Sequence, residues 1–183
     1  MHTYIAILFN TKQTIQRIES GELAYNKWIS YLIVSIFASV PVIRKVELLI
    51  DESLLGLTVG LVAFVLTSGL IFSMLIYILT ALYYGTSRLF GSKANFGEFQ
   101  LILSFVFIPE IILAANKLIR YFLPSTNGLA DADPIVYVIV QLFAFKILII
   151  GLSHFNRITY QKAFMITIAA MIPVIIVYGL RVL

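Results

Sequence analysis

From Ser53 to Ser87 the chain runs 35 residues without a formal charge, and four other long apolar stretches share its 183 residues. Hydrophobic residues make up 61% of the sequence and the mean hydropathy is +1.00. A water-soluble fold would have to bury more apolar surface than the few polar residues could cover, whereas lipid requires no such cover. The sequence therefore reads as an integral membrane protein with one domain, residues 1–183, and no separate soluble domain.

The absence of cysteine removes disulfides, thiolate metal sites and cysteine nucleophiles. A net charge of +4 could suggest nucleic acid, but the thirteen Lys and Arg are scattered around the apolar segments, which is the pattern of topology-setting charge. No nucleic-acid partner is expected. The apolar string Tyr4 to Phe9 is too short for the h-region of a secretory signal and runs into polar residues, so the first span, opened by Trp28, is expected to act as an uncleaved anchor.

Residues 1–27 form an interfacial segment. Within it, 10–22 reads as a short amphipathic helix with Asn10 as cap, Gln13 at the capping-box position and Gly21 as the stop. Ile7, Leu8, Ile15 and Ile18 can share its apolar side. The segment either lies flat among headgroups, with Lys12 and Arg17 reaching anionic lipid, or caps the bundle. Five spans follow, at about 28–49, 54–84, 99–118, 134–155 and 163–180. The second is longer than a bilayer needs, and the runs are too long and non-alternating for barrel strands. The fold class expected is thus all-α, a polytopic bundle of five transmembrane helices with a short N-terminal amphipathic helix. A cytoplasmic N-terminus puts Lys12, Arg17, Lys27, Arg88, Lys93, Arg157 and Lys162 inside, against Arg44, Lys45, Lys117, Arg120 and Arg181 outside.

Glu110 and Lys146 fall near the middle of spans three and four. A lone charge at the bilayer centre costs about 2.5–3.5 kcal/mol on insertion scales, so the two are expected to pair, supplemented by Gln141, Asn116 or Ser104. Pro109 should kink the third span beside Glu110. Gly56, Gly60, Ala63 and Thr67 form a small-residue stripe suited to close helix contact within the bundle or with a partner. Asp133 before Pro134 reads as an N-cap with proline at the first helical position. His154, with Asn156 and Arg157, reads as an interfacial anchor that can also contact phosphate headgroups. No nucleophile, metal or phosphate-loop motif is present, so neither catalysis, a cofactor nor a metal is expected.

The N-terminal string ILFNTKQTIQRIESGE, the Trp-headed first span, and YYGTSRLFGSKANFGEF leading into LILSFVFIPEIIL together resemble the bacterial branch of the Yip (Ypt-interacting protein) domain family. The residues carrying the likeness are Tyr84, Arg88, Phe90, Gly91, Phe96 and Pro109, over essentially the whole chain. Two departures stand out. Gly91 is followed by Ser92 where the family often has a second glycine, and only about 27 residues precede the first span, so the small-GTPase role of eukaryotic relatives is not carried over. The resemblance implies a five-span protein of the bacterial cytoplasmic membrane without catalysis, working through contacts with lipid and other membrane subunits. The expected function is an accessory subunit stabilising a larger assembly, an ABC exporter for antimicrobial-peptide or toxin resistance, through the small-residue stripe and the basic connector Arg88, Phe90, Gly91 and Lys93. A homo-oligomer is compatible with the stripe. The alternative is a small transporter coupled through Glu110 and Lys146.

Overall fold

A computed structural model describes residues 2–32, 54–122 and 133–182. The elements are α1 (His2–Phe9), α2 (Thr11–Glu19), α3 (described over 27–32), α4 (Leu54–Leu89), α5 (Phe96–Val106), α6 (Ile108–Phe122), α7 (Pro134–Asn156) and α8 (Tyr160–Val182). No strand occurs among the described residues. Among the described residues, three stretches have the length and hydropathy to cross a membrane: Gly69–Leu89, Phe96–Asn116 and Pro134–Asn156. Most of the first expected span, 28–49, lies outside the described residues.

The outward faces of these helices are apolar. Leu70, Met74 and Ile78 on α4, and Ile135, Val138 and Leu142 on α7, are all more than half exposed. Such faces suit hydrocarbon, where burial is completed by lipid rather than by protein.

Local chemistry sets the helix ends. At the end of α4, Gly91 takes the left-handed conformation (φ +78°), and the Ser92 and Gly91 amides donate to the Ser87 and Arg88 carbonyls, closing a Schellman turn. Asn95 then caps α5: its side chain accepts from the Glu98 amide at 2.9 Å while the Glu98 carboxylate accepts from the Asn95 amide at 2.6 Å. Asp133 caps α7, accepting from the Ile135 amide at 2.8 Å with Pro134 at the first helical position. The third apolar stretch is two helices with a break at Phe107. Pro109 has no amide proton to donate back to Phe105, so the ladder stops at Phe107 and restarts as α6.

α7 is the hub, packing against α2, α5, α6 and α8. One apolar cluster joins Phe99, Ile102 and Leu103 of α5 to Leu148 and Leu152 of α7 and to Ala163, Ile166 and Ala170 of α8. Gly151 permits the α5–α7 approach, since a Cβ there would stand 3.0 Å from Ile102 Cγ2. A second cluster joins Ile7, Leu8 and Ile15 to Phe105, Ile108 and Ile147, with Ile18 against it.

The N-terminal segment is therefore packed on the bundle rather than laid flat beside it. Asn10 stands at the N-cap of α2 but makes no side-chain cap bond, and the Thr11 and Thr14 hydroxyls donate to the Ile7 and Asn10 carbonyls at 2.7 and 2.9 Å. Gly21, at φ +79°, follows the last turn.

Candidate functional site

The restart of the chain after Phe107 places Glu110 in the first turn of α6, where a carboxylate is favoured by the helix dipole. Glu110 Oε1 accepts a hydrogen bond from Gln141 Nε2 on α7 at 2.8 Å. Both side chains line a cleft of about 660 Å³. Its remaining walls are almost wholly apolar and come from α4 (Leu79, Tyr83), α5 (Leu103, Val106), α7 (Leu142, Phe145, Leu148) and α8 (Thr167, Met171). Tyr137, Val138, Leu142 and Phe145 on its α7 rim are exposed, so the cleft opens sideways. A single carboxylate–amide pair in a greasy recess gives the cleft one acceptor-rich point on an otherwise non-directional surface. That is the usual composition of a binding site.

Glu110 and Lys146 do not pair in the structure. The ion pairs among the described residues are Arg17–Glu22 at 3.0 Å and His154–Glu19 at 2.6 Å. Lys146 Nζ donates instead to the backbone carbonyls of Leu8 (3.1 Å) and Phe9 (3.3 Å), and lies 5.7 Å from the Phe143 ring centroid. The reason is helical phase. Five residues separate Gln141 from Lys146, which on an α-helix is a rotation of about 140° and a rise of about 7.5 Å. The face of α7 that presents Gln141 to α6 turns Lys146 toward α1. There it meets carbonyls at the end of a helix, where the dipole is negative and the last turn lacks internal donors.

The polar residues expected to support the pair are dispersed. Asn116 Oδ1 accepts from the Asp133 amide at 3.1 Å, tying α6 to the start of α7. Ser104 accepts from the Tyr25 hydroxyl at 2.9 Å, and Tyr25 Oη also lies 2.7 Å from Ser30 Oγ.

The small-residue stripe lies on the first half of α4. Ala63 and Thr67 are exposed there, and Thr67 Oγ1 bonds back to the Ala63 carbonyl at 2.7 Å; nothing further is described of Gly56 and Gly60 beyond their place in the helix. In the connector, Arg88 is exposed but folds back over the turn. Its guanidinium donates to the Ser92 carbonyl (3.2 Å), the Tyr84 hydroxyl (3.0 Å) and the Ala94 carbonyl (3.4 Å), and stacks 4.8 Å from the Tyr84 ring. Phe90 packs on the main core cluster and Gly91 forms the turn; of the two exposed basic residues of the connector, Arg88 is bonded and Lys93 makes no side-chain bond to any described residue.

Two features escaped the sequence reading. The Asn95–Glu98 capping box was legible as N-x-x-E before an apolar run. The link from Lys146 to Leu8 and Phe9 spans 138 and 137 positions and involves backbone acceptors, which carry no residue-type signature. No protein-family model, curated protein or solved structure matches the chain.

Proposed function

We propose that this chain is a five-span, non-enzymatic protein of the bacterial cytoplasmic membrane that binds another membrane component and stabilises a larger assembly. In this reading the first span continues from α3, α8 is the fifth, and the N-terminus is cytoplasmic. The Yip-like order of sequence features is in keeping with it. The observation that carries the proposal is the lateral cleft. Its carboxylate has a neutral amide for company and no cation among the described residues, so an incoming membrane segment bearing a donor or a basic side chain would offset the cost of holding Glu110 among apolar walls. The permease subunit of an ABC exporter is the partner class proposed.

The test is isolation of the full chain from native membranes in mild detergent. The proposal expects co-purification of a polytopic partner, lost when Val138→Trp fills the cleft mouth. Repeated recovery of the protein alone would refute it.

A second reading, a small transporter, draws on the same carboxylate: Glu110 is bonded to Gln141 rather than locked to Lys146 and faces a cavity. It expects Glu110→Gln to abolish flux in proteoliposomes while leaving the elution profile of the protein unchanged.

A further inference from the structure

At the end of α7 remote from its proline cap, a second pocket, of about 440 Å³, is bounded by Lys12 of α2, Ser153 and His154 of α7, Arg157 and Thr159 of the α7–α8 turn, and Tyr160 of α8. Ile150 and Ile158 complete its wall. Three of these residues are basic, and the acids nearby on the N-terminal segment are already engaged. Glu19 accepts a hydrogen bond from His154 Nε2 at 2.6 Å, and Glu22 accepts from Arg17 Nε at 3.0 Å. By contrast, neither Lys12 nor Arg157 makes a side-chain hydrogen bond or ion pair with any described residue. Two uncompensated cations thus border one cavity. Both side chains are exposed at its rim.

Arg157 adds an observation from the backbone. It is the residue among those described that has a positive φ without being glycine (φ 53°, the left-handed region), at the C-cap of α7. Glycine or asparagine satisfies that turn with less strain, so folding alone gives no reason for an arginine there. A side chain kept at a strained position beside a cavity points to a use for the side chain. The position of Lys12 is also built. α2 is fastened along α7 by the Glu19–His154 bond at one end and by the Lys146 bonds to the end of α1 at the other.

We propose that this pocket binds a phosphate group, with Lys12 and Arg157 as its two cationic contacts and the Thr159 and Tyr160 side of the rim supplying polar contacts; the Ser153 hydroxyl is spent on the Ile158 carbonyl at 2.6 Å. The phosphate can be the headgroup of an anionic lipid or a free phosphate. The pocket lies at the end of an apolar helix of membrane-crossing length, with aliphatic side chains in its wall, which fits a headgroup with the start of its acyl chains.

The experiment uses the full chain purified in neutral detergent, followed by native mass spectrometry and by thermal unfolding. One arm titrates phosphatidylglycerol with phosphatidylethanolamine as the zwitterionic control; the other titrates inorganic phosphate. Retention of one phosphatidylglycerol per chain, at least tenfold preferred over phosphatidylethanolamine, assigns the site to lipid. Stabilisation by inorganic phosphate with no lipid preference assigns it to a soluble phosphate. In either case Lys12→Gln and Arg157→Asn should each lower the apparent affinity about tenfold. Arg157→Lys should restore much of it, and Lys93→Gln on the neighbouring connector should leave it unchanged. Lys12→Gln alters an exposed side chain and leaves the fold intact, so it keeps the test decisive if Arg157→Asn expresses poorly. Absence of binding in both arms, or binding that none of the Lys12 and Arg157 variants weakens, overturns the proposal.

Discussion

Lys146 shows how an intramembrane cation can be satisfied without a carboxylate. Hydrogen bonds to a charged group are worth about 1.5–3 kcal/mol, and here two carbonyls from the end of α1 share one ammonium. Lys146→Met should therefore release the N-terminal segment, lowering stability by about 1–3 kcal/mol and exposing the bond after Arg17 to trypsin. Glu110→Gln should leave that bond protected. Because the two side chains have separate partners, the double variant should be additive within about 0.5 kcal/mol in unfolding titrations. A coupling above about 1 kcal/mol would restore the pair expected from the sequence. The residue types and their depth were legible in the sequence. Partner choice was not, since it depended on a rotation of roughly 140° along α7 and on where the first nine residues fold back.

At the scale of the elements, ends were more legible than faces. Asp133–Pro134 and Gly21 announce their turns because capping and left-handed geometry are local chemistry. The split between α5 and α6 follows as locally from a proline that cannot donate. Packing faces in an apolar helix are harder to read, because lipid-facing and protein-facing positions are equally hydrophobic. Gly151 is a case in point. Nothing in the surrounding residues marks it as the point of closest approach to Ile102, which is buried to 1% exposure and has no room to retreat. Gly151→Ala should cost about 1–2 kcal/mol, recovered in part by Ile102→Ala, as measured by denaturant unfolding in detergent. Asn95→Ala, which removes one half of the α5 capping box, should cost about 1 kcal/mol in the same assay.

For the whole molecule, the shared end of the bundle is the most informative arrangement. The Ser92 hydroxyl donates to Asn156, and Glu19 meets His154, so the N-terminal segment, the α4–α5 connector and the α7–α8 turn lie together. With the proposed five spans, cysteines introduced at Lys93 and Gln161 should react with an impermeant maleimide from one face of sealed vesicles, and one at Asn127 from the other. The cysteine-free chain makes each label unambiguous. Equal labelling of all three from one face would reject that topology. Length carries a further consequence. The 36 residues of α4 make a rod of roughly 54 Å, and a tilt of about 40° still leaves some 41 Å along the normal of a ~30 Å hydrocarbon layer. An apolar column that overreaches its solvent makes the protein a gauge of bilayer thickness. Reconstituted into phosphatidylcholines of increasing acyl length, it should gain thermal stability step by step until the lipid reaches the height of the rod, and a cell that thickens its membrane would tighten its grip on this molecule.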